Sequence, residues 1–313
     1  MEFRDVQRLR AFALVLDLGS ISGAASVLGY TQSGVSQQLS ALEREVGQAL
    51  VDRSQRPLRA TRGGELLRPQ IERVLAAVGG AEAAVEDLRG GVQRLRLAAF
   101  TSGLSSFIPA AVRDLRRGHG DLVVQVLQLE TQEAIELLRS GDADLAVVHQ
   151  MPGTAMPATG GLQRRRLLVD DLYVVVPEGH ALARRDEVSI ADLEREPLIL
   201  PRRDTPAGRF RSVIDYLCAE AGFAPRVAYE LEDLPAAQAF VSAGIGVVPM
   251  HGLVLATIPP GTIALPLAER PAGSRTVEAL APAGADSPVV IELLDRLAEG
   301  ALAYVPTRSP RRA

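Results

Sequence analysis

The segment between Gly19 and Val46 constrains this chain more than any other. Ser22 reads as the N-cap of a short helix running through Leu28, Gly29 and Tyr30 make a tight turn, and Thr31 is a second N-cap. Beyond it Val35, Leu39, Leu42 and Val46 recur at spacings of 4, 3 and 4. That rhythm puts them on one helical stripe and leaves Gln32, Ser33, Ser36, Gln37 and Ser40 on the opposite face. Upstream, Val6, Leu9, Ala13 and Leu16, widened by Phe12 and Val15, predict an amphipathic helix over residues 4–17 that Gly19 ends. Two short helices joined by a glycine-containing turn, the second with an uncharged polar face, describe a helix-turn-helix.

The polar face has a chemistry. Glutamine pairs with the N6 and N7 edge of adenine, and serine bonds to base edges or to phosphate. Gln32, Ser33, Ser36, Gln37 and Ser40 are therefore candidate DNA contacts, the first four as base readers. Behind them lies DRSQRPLRAT, a hairpin-like stretch whose Arg53, Arg56 and Arg59 are placed to follow a phosphate backbone as a wing. The whole chain carries −4, yet residues 53–73 hold six arginines against Glu65 and Glu72, a local +4 that suits phosphate contact.

After Thr61, the positions Leu67, Ile71, Val74, Val78, Ala81, Val85 and Leu88 alternate by 4 and 3, which is three heptads of an a/d seam. The spacing predicts a long helix that pairs with a second copy. Pro69 and Gly79–Gly80 oppose it, because an interior proline costs about 3 kcal/mol and a glycine about 1 kcal/mol relative to alanine. A bent or adaptable seam is expected there.

Taken together these segments resemble the LysR-type transcriptional regulators. SISGAASVLGYTQSGVSQQLSALEREVGQALVDRS matches that family's N-terminal signature, and RPLRATRGGELL matches its wing and the start of its linker helix. Departures are Ser33 and Gly34, where proline and alanine are common, Gln37 where arginine is frequent, and Val51 where phenylalanine is usual. They bear on base preference and wing packing. The resemblance implies an α+β multidomain chain: a winged helix-turn-helix over 1–60, a dimerisation linker helix over 61–89, and an effector-binding domain over 90–305. A basic tail, 306–313, follows. The implied partners are double-stranded operator DNA, a small-molecule effector, further copies in a homodimer or homotetramer, and RNA polymerase.

Past a hinge at Gly90–Gly91, strand and helix patterns alternate. RLRLAAF, a helix over 105–117, LVVQVLQL, a helix over 131–138 and DLAVVH come first. PLILP, a helix over 207–220, RVAYEL, a helix over 233–241 and GVVPM repeat the order. Two equivalent α/β lobes with mostly parallel sheets are expected, in the manner of periplasmic binding proteins. Ligands bind such sheets beyond the carboxyl ends of the strands, near helix N-termini. The cleft wall should then comprise Thr101, Ser102, Thr131 and His149 from one lobe, with Pro201, Arg202, Thr205, Asp233 and Pro249 from the other. The resemblance places Ser102 and Thr131 at effector-contacting positions, and assigns 92–160 with 268–303 to one lobe and 165–265 to the other. Arg202 or Arg203 would suit a carboxylate through a bidentate fork.

Other classes drop out on composition. No apolar run approaches about 18 residues and MEFRDVQRLR is charged where a secretory signal is apolar, so a cytoplasmic protein off the membrane is expected. That start, with the first ninety residues, argues against a solute receptor. One cysteine, Cys218, and four scattered histidines offer no metal-ligand spacing, and no cofactor is implied. Neither GxSxG, GxxxxGK[ST] nor a GxGxxG opening a helix occurs, which argues against an enzyme. The competing reading is a DNA-binding repressor whose C-terminal half is structural and binds no effector.

Overall fold

A computed structural model describes residues 5–90, 93–154, 156–157, 159–205, 207–269, 272–285 and 287–304. Helix α1 (Val6–Leu18) begins at Asp5, whose carboxylate accepts the Gln7 N–H, and ends where Gly19 turns left-handed at φ 59°. Helix α2 (Ile21–Leu28) is capped by Ser20, whose Oγ accepts the Gly23 N–H. The expected cap, Ser22, instead lies inside the first turn, with its hydroxyl against that of Ser20. Helix α3 (Gln32–Val46) starts at Thr31, which accepts the Gly34 N–H at 3.1 Å. Leu9, Phe12, Val15, Val35, Leu39 and Leu42 close the core of these three helices. Strands β1 (Val51–Asp52) and β2 (Arg59–Ala60) pair antiparallel as the wing. The Leu58 N–H donates to the Gly19 carbonyl and ties that wing to the end of α1.

Helix α4 (Arg62–Gly90) follows, and its two halves differ. Leu67, Ile71 and Leu75 pack onto the three-helix core, with Ile71 and Leu75 each 1% exposed. The expected seam is therefore corrected at its start, because Leu67 and Ile71 are spent within the chain. Val74 and Val85 remain 41% and 44% exposed, Ala81 is exposed and Val78 is half-buried. The side chain of Leu88, Gly91 of the expected hinge, and the tail 306–313 lie outside the described residues. Pro69 sits inside α4, which runs on to Gly90. Gly79 has a specific reason: a Cβ there would fall 2.7 Å from the Cα of Gly141.

The first lobe is built from β3 (Arg94–Ala99), α5 (Thr101–Leu104), α6 (Ile108–Gly118), β4 (Val123–Gln128), α7 (Thr131–Ser140), β5 (Leu145–Gln150) and β6 (Leu162–Asp170). The chain then crosses over. The second lobe holds β7 (Leu172–Pro177), β8 (Leu198–Leu200), α8 (Gly208–Glu220), β9 (Val227–Glu230), α9 (Leu234–Ser242), β10 (Val248–His251) and β11 (Thr262–Pro266). It returns through β12 (Arg275–Pro282) and α10 (Pro288–Ala303) to the first. One helix expected over 105–117 is in fact two, because the chain turns at Ser105–Phe107 and Pro109 then opens α6 in its first turn, where the missing N–H costs nothing.

The two sheets repeat one plan. In the first the order is β4-β3-β5-β12-β6. In the second, β9-β8 connects through a parallel bridge between Leu198 and Val247 to β10-β7-β11. Both place two parallel strands and a third beside them, then two strands running antiparallel. The sheets are thus mixed, not mostly parallel, since each lobe receives an antiparallel strand from the crossover. Strand β6 pairs with β12 throughout, so residues 165–170, expected in the second lobe, belong to the first.

Candidate functional site

On α3 the structure leaves Gln32, Ser33 and Gln37 exposed and Ser36 and Ser40 half-buried along the same face. Arg56 and Arg59 are exposed on the wing. Arg53 is different: its guanidinium donates to Ser40 Oγ at 3.1 Å and to Glu43 Oε2 at 2.9 Å. Glu43 also accepts the N–H groups of Leu50 and Val51 through Oε1. Arg53 thereby braces the wing against α3, a role that no sequence pattern displays.

A cavity of about 610 Å³ opens between the two lobes. Thr101, Ser102, Thr131, His149, Pro201, Asp233 and Pro249 all line it. Arg202 and Thr205 do not. Arg202 is exposed and clamps Asp204 through two bonds of 3.0 and 2.6 Å, while Thr205 donates to the Arg202 carbonyl. Arg203 holds Asp215 at 3.0 Å. These residues form the exposed turn after β8, so the carboxylate fork expected from Arg202 or Arg203 is absent from the wall. The arginines that do line it are Arg209, exposed, and Arg275, buried.

Arg275 enters from the crossover strand β12 and meets Asp170 at the end of β6. Its Nε and one terminal nitrogen donate to Asp170 Oδ2 at 2.9 and 2.8 Å, and that nitrogen also reaches Ser102 Oγ at 2.6 Å. The guanidinium lies 4.9 Å from the centre of the Phe100 ring. Asp170 Oδ1 accepts the Leu253 N–H at 2.9 Å. Burial pushes the Asp170 carboxyl up, and Arg275 pulls against it. Ser102, expected to touch a ligand, is thus also the partner of a buried charge. Thr131 is engaged twice, donating to the His149 carbonyl at 2.9 Å and accepting the His149 N–H at 3.2 Å, so its hydroxyl ties α7 to the end of β5.

Comparison with known proteins decides the family. Residues 6–65 match the model described as bacterial regulatory helix-turn-helix protein, lysR family, and residues 89–302 match the LysR substrate binding domain. The chain belongs to the LysR-type transcriptional regulators. It is 32% identical over 270 residues to the HTH-type transcriptional regulator ShiR of Corynebacterium glutamicum, covering 84% of this chain and 88% of that one. Among solved structures it resembles full-length CbnR complexed with its target DNA, at 21% identity and a TM-score of 0.55 over 95% of this chain and 99% of that one. It also resembles the BenM effector binding domain with its effector benzoate, at 19% identity and a TM-score of 0.58 over 66% of this chain and 92% of that one.

As a LysR-type regulator the chain binds DNA and regulates transcription under a small-molecule effector, a regulatory role and not an enzymatic one. Among the described residues no helix is long and apolar enough to cross a membrane, and no group of His, Cys, Asp or Glu is placed to hold a metal. The interlobe cavity of this regulator has two helix ends capped by acids. Glu130 and Glu133 form a capping box at α7, and Asp233 accepts the Ala236 N–H at 2.8 Å at α9. His149 Nε2 lies 3.5 Å from Glu130 Oε2, an interaction that lowers the Glu130 pKa. Burial pushes both His149 and His251 down, His251 well below the ordinary range. His251 Nε2–H donates to the Gly273 carbonyl at 3.1 Å. Of these wall residues, His251, Glu130, Arg209 and Arg275 were missed by sequence reasoning. The first two stand beside residues it did select.

Proposed function

We propose that this regulator reads operator bases with Gln32, Ser33, Ser36 and Gln37, meets phosphates with Arg56 and Arg59, and answers to an amphipathic small molecule held between its lobes. In this reading it works in the cytoplasm as a dimer or tetramer that contacts RNA polymerase. Ser40 and Arg53 act together, setting the angle of the wing. One observation carries the effector half: the cavity walls differ by lobe. The first lobe contributes Thr101, Ser102, Gln128, Glu130 and His149 around Phe100, whereas the second contributes the apolar Ile199, Phe210, Leu231, Val248 and Met250 together with Arg209, Glu232, Asp233 and His251. A ligand with an apolar body against the second lobe and a polar head toward the first satisfies both. Thr131 meets the ligand in this reading only as an acceptor, because its O–H and one lone pair are already bonded to the His149 backbone.

Binding isotherms on cognate and unrelated duplexes test the DNA half. Gln32→Ala should weaken cognate binding by about 1–3 kcal/mol and leave unrelated DNA nearly untouched. Arg56→Ala should weaken both and reduce the salt slope by about 1. The reverse pattern would reassign readers and phosphate contacts. For the effector half, a metabolite that changes operator affinity separates this reading from a purely structural C-terminal half.

A further inference from the structure

Two helix N-termini at the cavity and its buried guanidinium are answered by acids of the chain itself, while the start of α8 carries no side-chain cap and Arg209 beside it is exposed. A helix N-terminus carries a partial positive charge and open N–H groups, which makes it an anion receptor. At α7 that position holds the Glu130–Glu133 capping box, and at α9 it holds Asp233. The buried guanidinium of Arg275 is paired with Asp170 and bonded to Ser102. Across the wall, Glu130, Glu133, Glu232 and Asp233 stand against Arg209 and Arg275, four carboxylates to two guanidiniums before Asp170 is added. His251, buried, and His149, partly buried, stand in the same wall, and desolvation pushes both below the ordinary histidine range. A carboxylate entering this space meets a surplus of its own charge, carried by side chains that water also reaches. A hydrogen-bond donor meets acceptors.

Building on the cavity reading above, we propose that the effector bears no anionic group: it is an amphiphile whose apolar body lies on the second lobe and whose polar head, an amine or a hydroxyl, donates toward Glu130 on the first. Glu130 suits this role because its carboxylate is kept ionised by its contact with His149 and is half-exposed at the wall, where a donor reaches it. On the opposing lobe Ile199, Phe210, Leu231, Val248, Met250 and Val254 give a ligand body an apolar surface, with Arg209, Glu232 and Asp233 as the charges of that lobe's wall.

Three probes of one shape test this on the full chain: 3-phenylpropylamine, 3-phenylpropan-1-ol and 3-phenylpropanoate. The chain has four histidines, two in the cavity wall and two, His119 and His180, outside it, so their labelled imidazole signals report where each probe sits. The amine and the alcohol should shift His149 and His251 and leave His119 and His180 in place. The carboxylate should bind on the order of tenfold more weakly than the amine, and Glu130→Gln should narrow that gap. Tightest binding by the carboxylate, with the same two histidines shifting, would overturn the head-group assignment and leave the cavity standing. No shift at His149 and His251 from any probe would overturn the cavity reading and this inference with it.

Discussion

Arg275 and Arg139 are both buried arginines facing aspartates, and they are held differently. Arg275, at the cavity, makes bonds of 2.6–2.9 Å to one carboxylate and one hydroxyl, and the other oxygen of that carboxylate is filled by the Leu253 N–H. Arg139, on the last turn of α7 and 3% exposed, lies where three parts of the chain meet. It stands 3.4 Å from Asp17 of α1 and 3.3 Å from Glu72 of α4, and Arg68 of α4 bonds to both of those acids as well. One centre has a closed set of partners within a domain. The other shares its acids with a second arginine across a junction, and its contacts are longer. A buried ion pair loses most when one member is left alone, so redundancy matters more than the number of contacts.

The largest effect should come from Arg275→Met. Asp170 would remain buried without its cation, at a cost of about 3–5 kcal/mol in denaturant unfolding. Adding Asp170→Asn should recover part of that loss, and a single variant as stable as the parent would end the claim of a closed centre. Arg139→Met should cost less, about 1–3 kcal/mol, because Arg68 still faces Asp17 and Glu72. Equal losses from the two substitutions would erase the distinction.

A pH titration sharpens it further. Burial holds His149 and His251 below their ordinary value of about 6.5, so below that pH the unfolded chain binds protons that the folded chain refuses. Stability from these two is therefore full above about 6.5 and is lost as pH falls through their folded pKa values, by at most about 1.4 kcal/mol per pH unit for each. Arg275 adds to the depression of both, whereas the junction around Arg139 contains no histidine. His251→Asn should flatten the slope between pH 7 and 5, and an unchanged slope would move the neutral-range sensitivity away from the cavity.

The smallest effect concerns the packing beside Arg139. In an exposed seam Gly79→Ala would gain about 1 kcal/mol of helix propensity. Against Gly141 it must overpack, which costs about 1–3 kcal/mol, so a net loss of around 1 kcal/mol is expected in thermal melts. A gain would place α4 farther from α7.

Much of this molecule was legible because its signals are local. Thr31 caps α3 and the Val35–Leu39–Leu42 stripe is buried, as the spacing predicts. The repeated strand-helix order appears as two sheets of one plan. The periodicity of α4 was legible too, but not its partner: a stripe with a/d spacing packs equally well on its own domain, and Leu67 and Ile71 do so. The Gly79 that seemed to weaken a seam marks a close approach of backbones. Pro201 and Pro249 follow from the rule that ligands sit beyond strand ends, while Arg202 sits at such an end and turns away.

What the sequence alone determined, then, is the helix-turn-helix, the long helix, the two-lobe plan and the family, since caps, turns and hydrophobic periods act over a few residues and leave their marks in order along the chain. What only the tertiary structure decided is which charges meet. Arg275 reaches Ser102 across 173 positions and Arg139 reaches Asp17 across 122, and no local rule sets either pairing. Burying a charge is costly enough that it survives only beside its partner. That partner is chosen by how strands cross between lobes and how α7 lies on α4, after the local elements have formed.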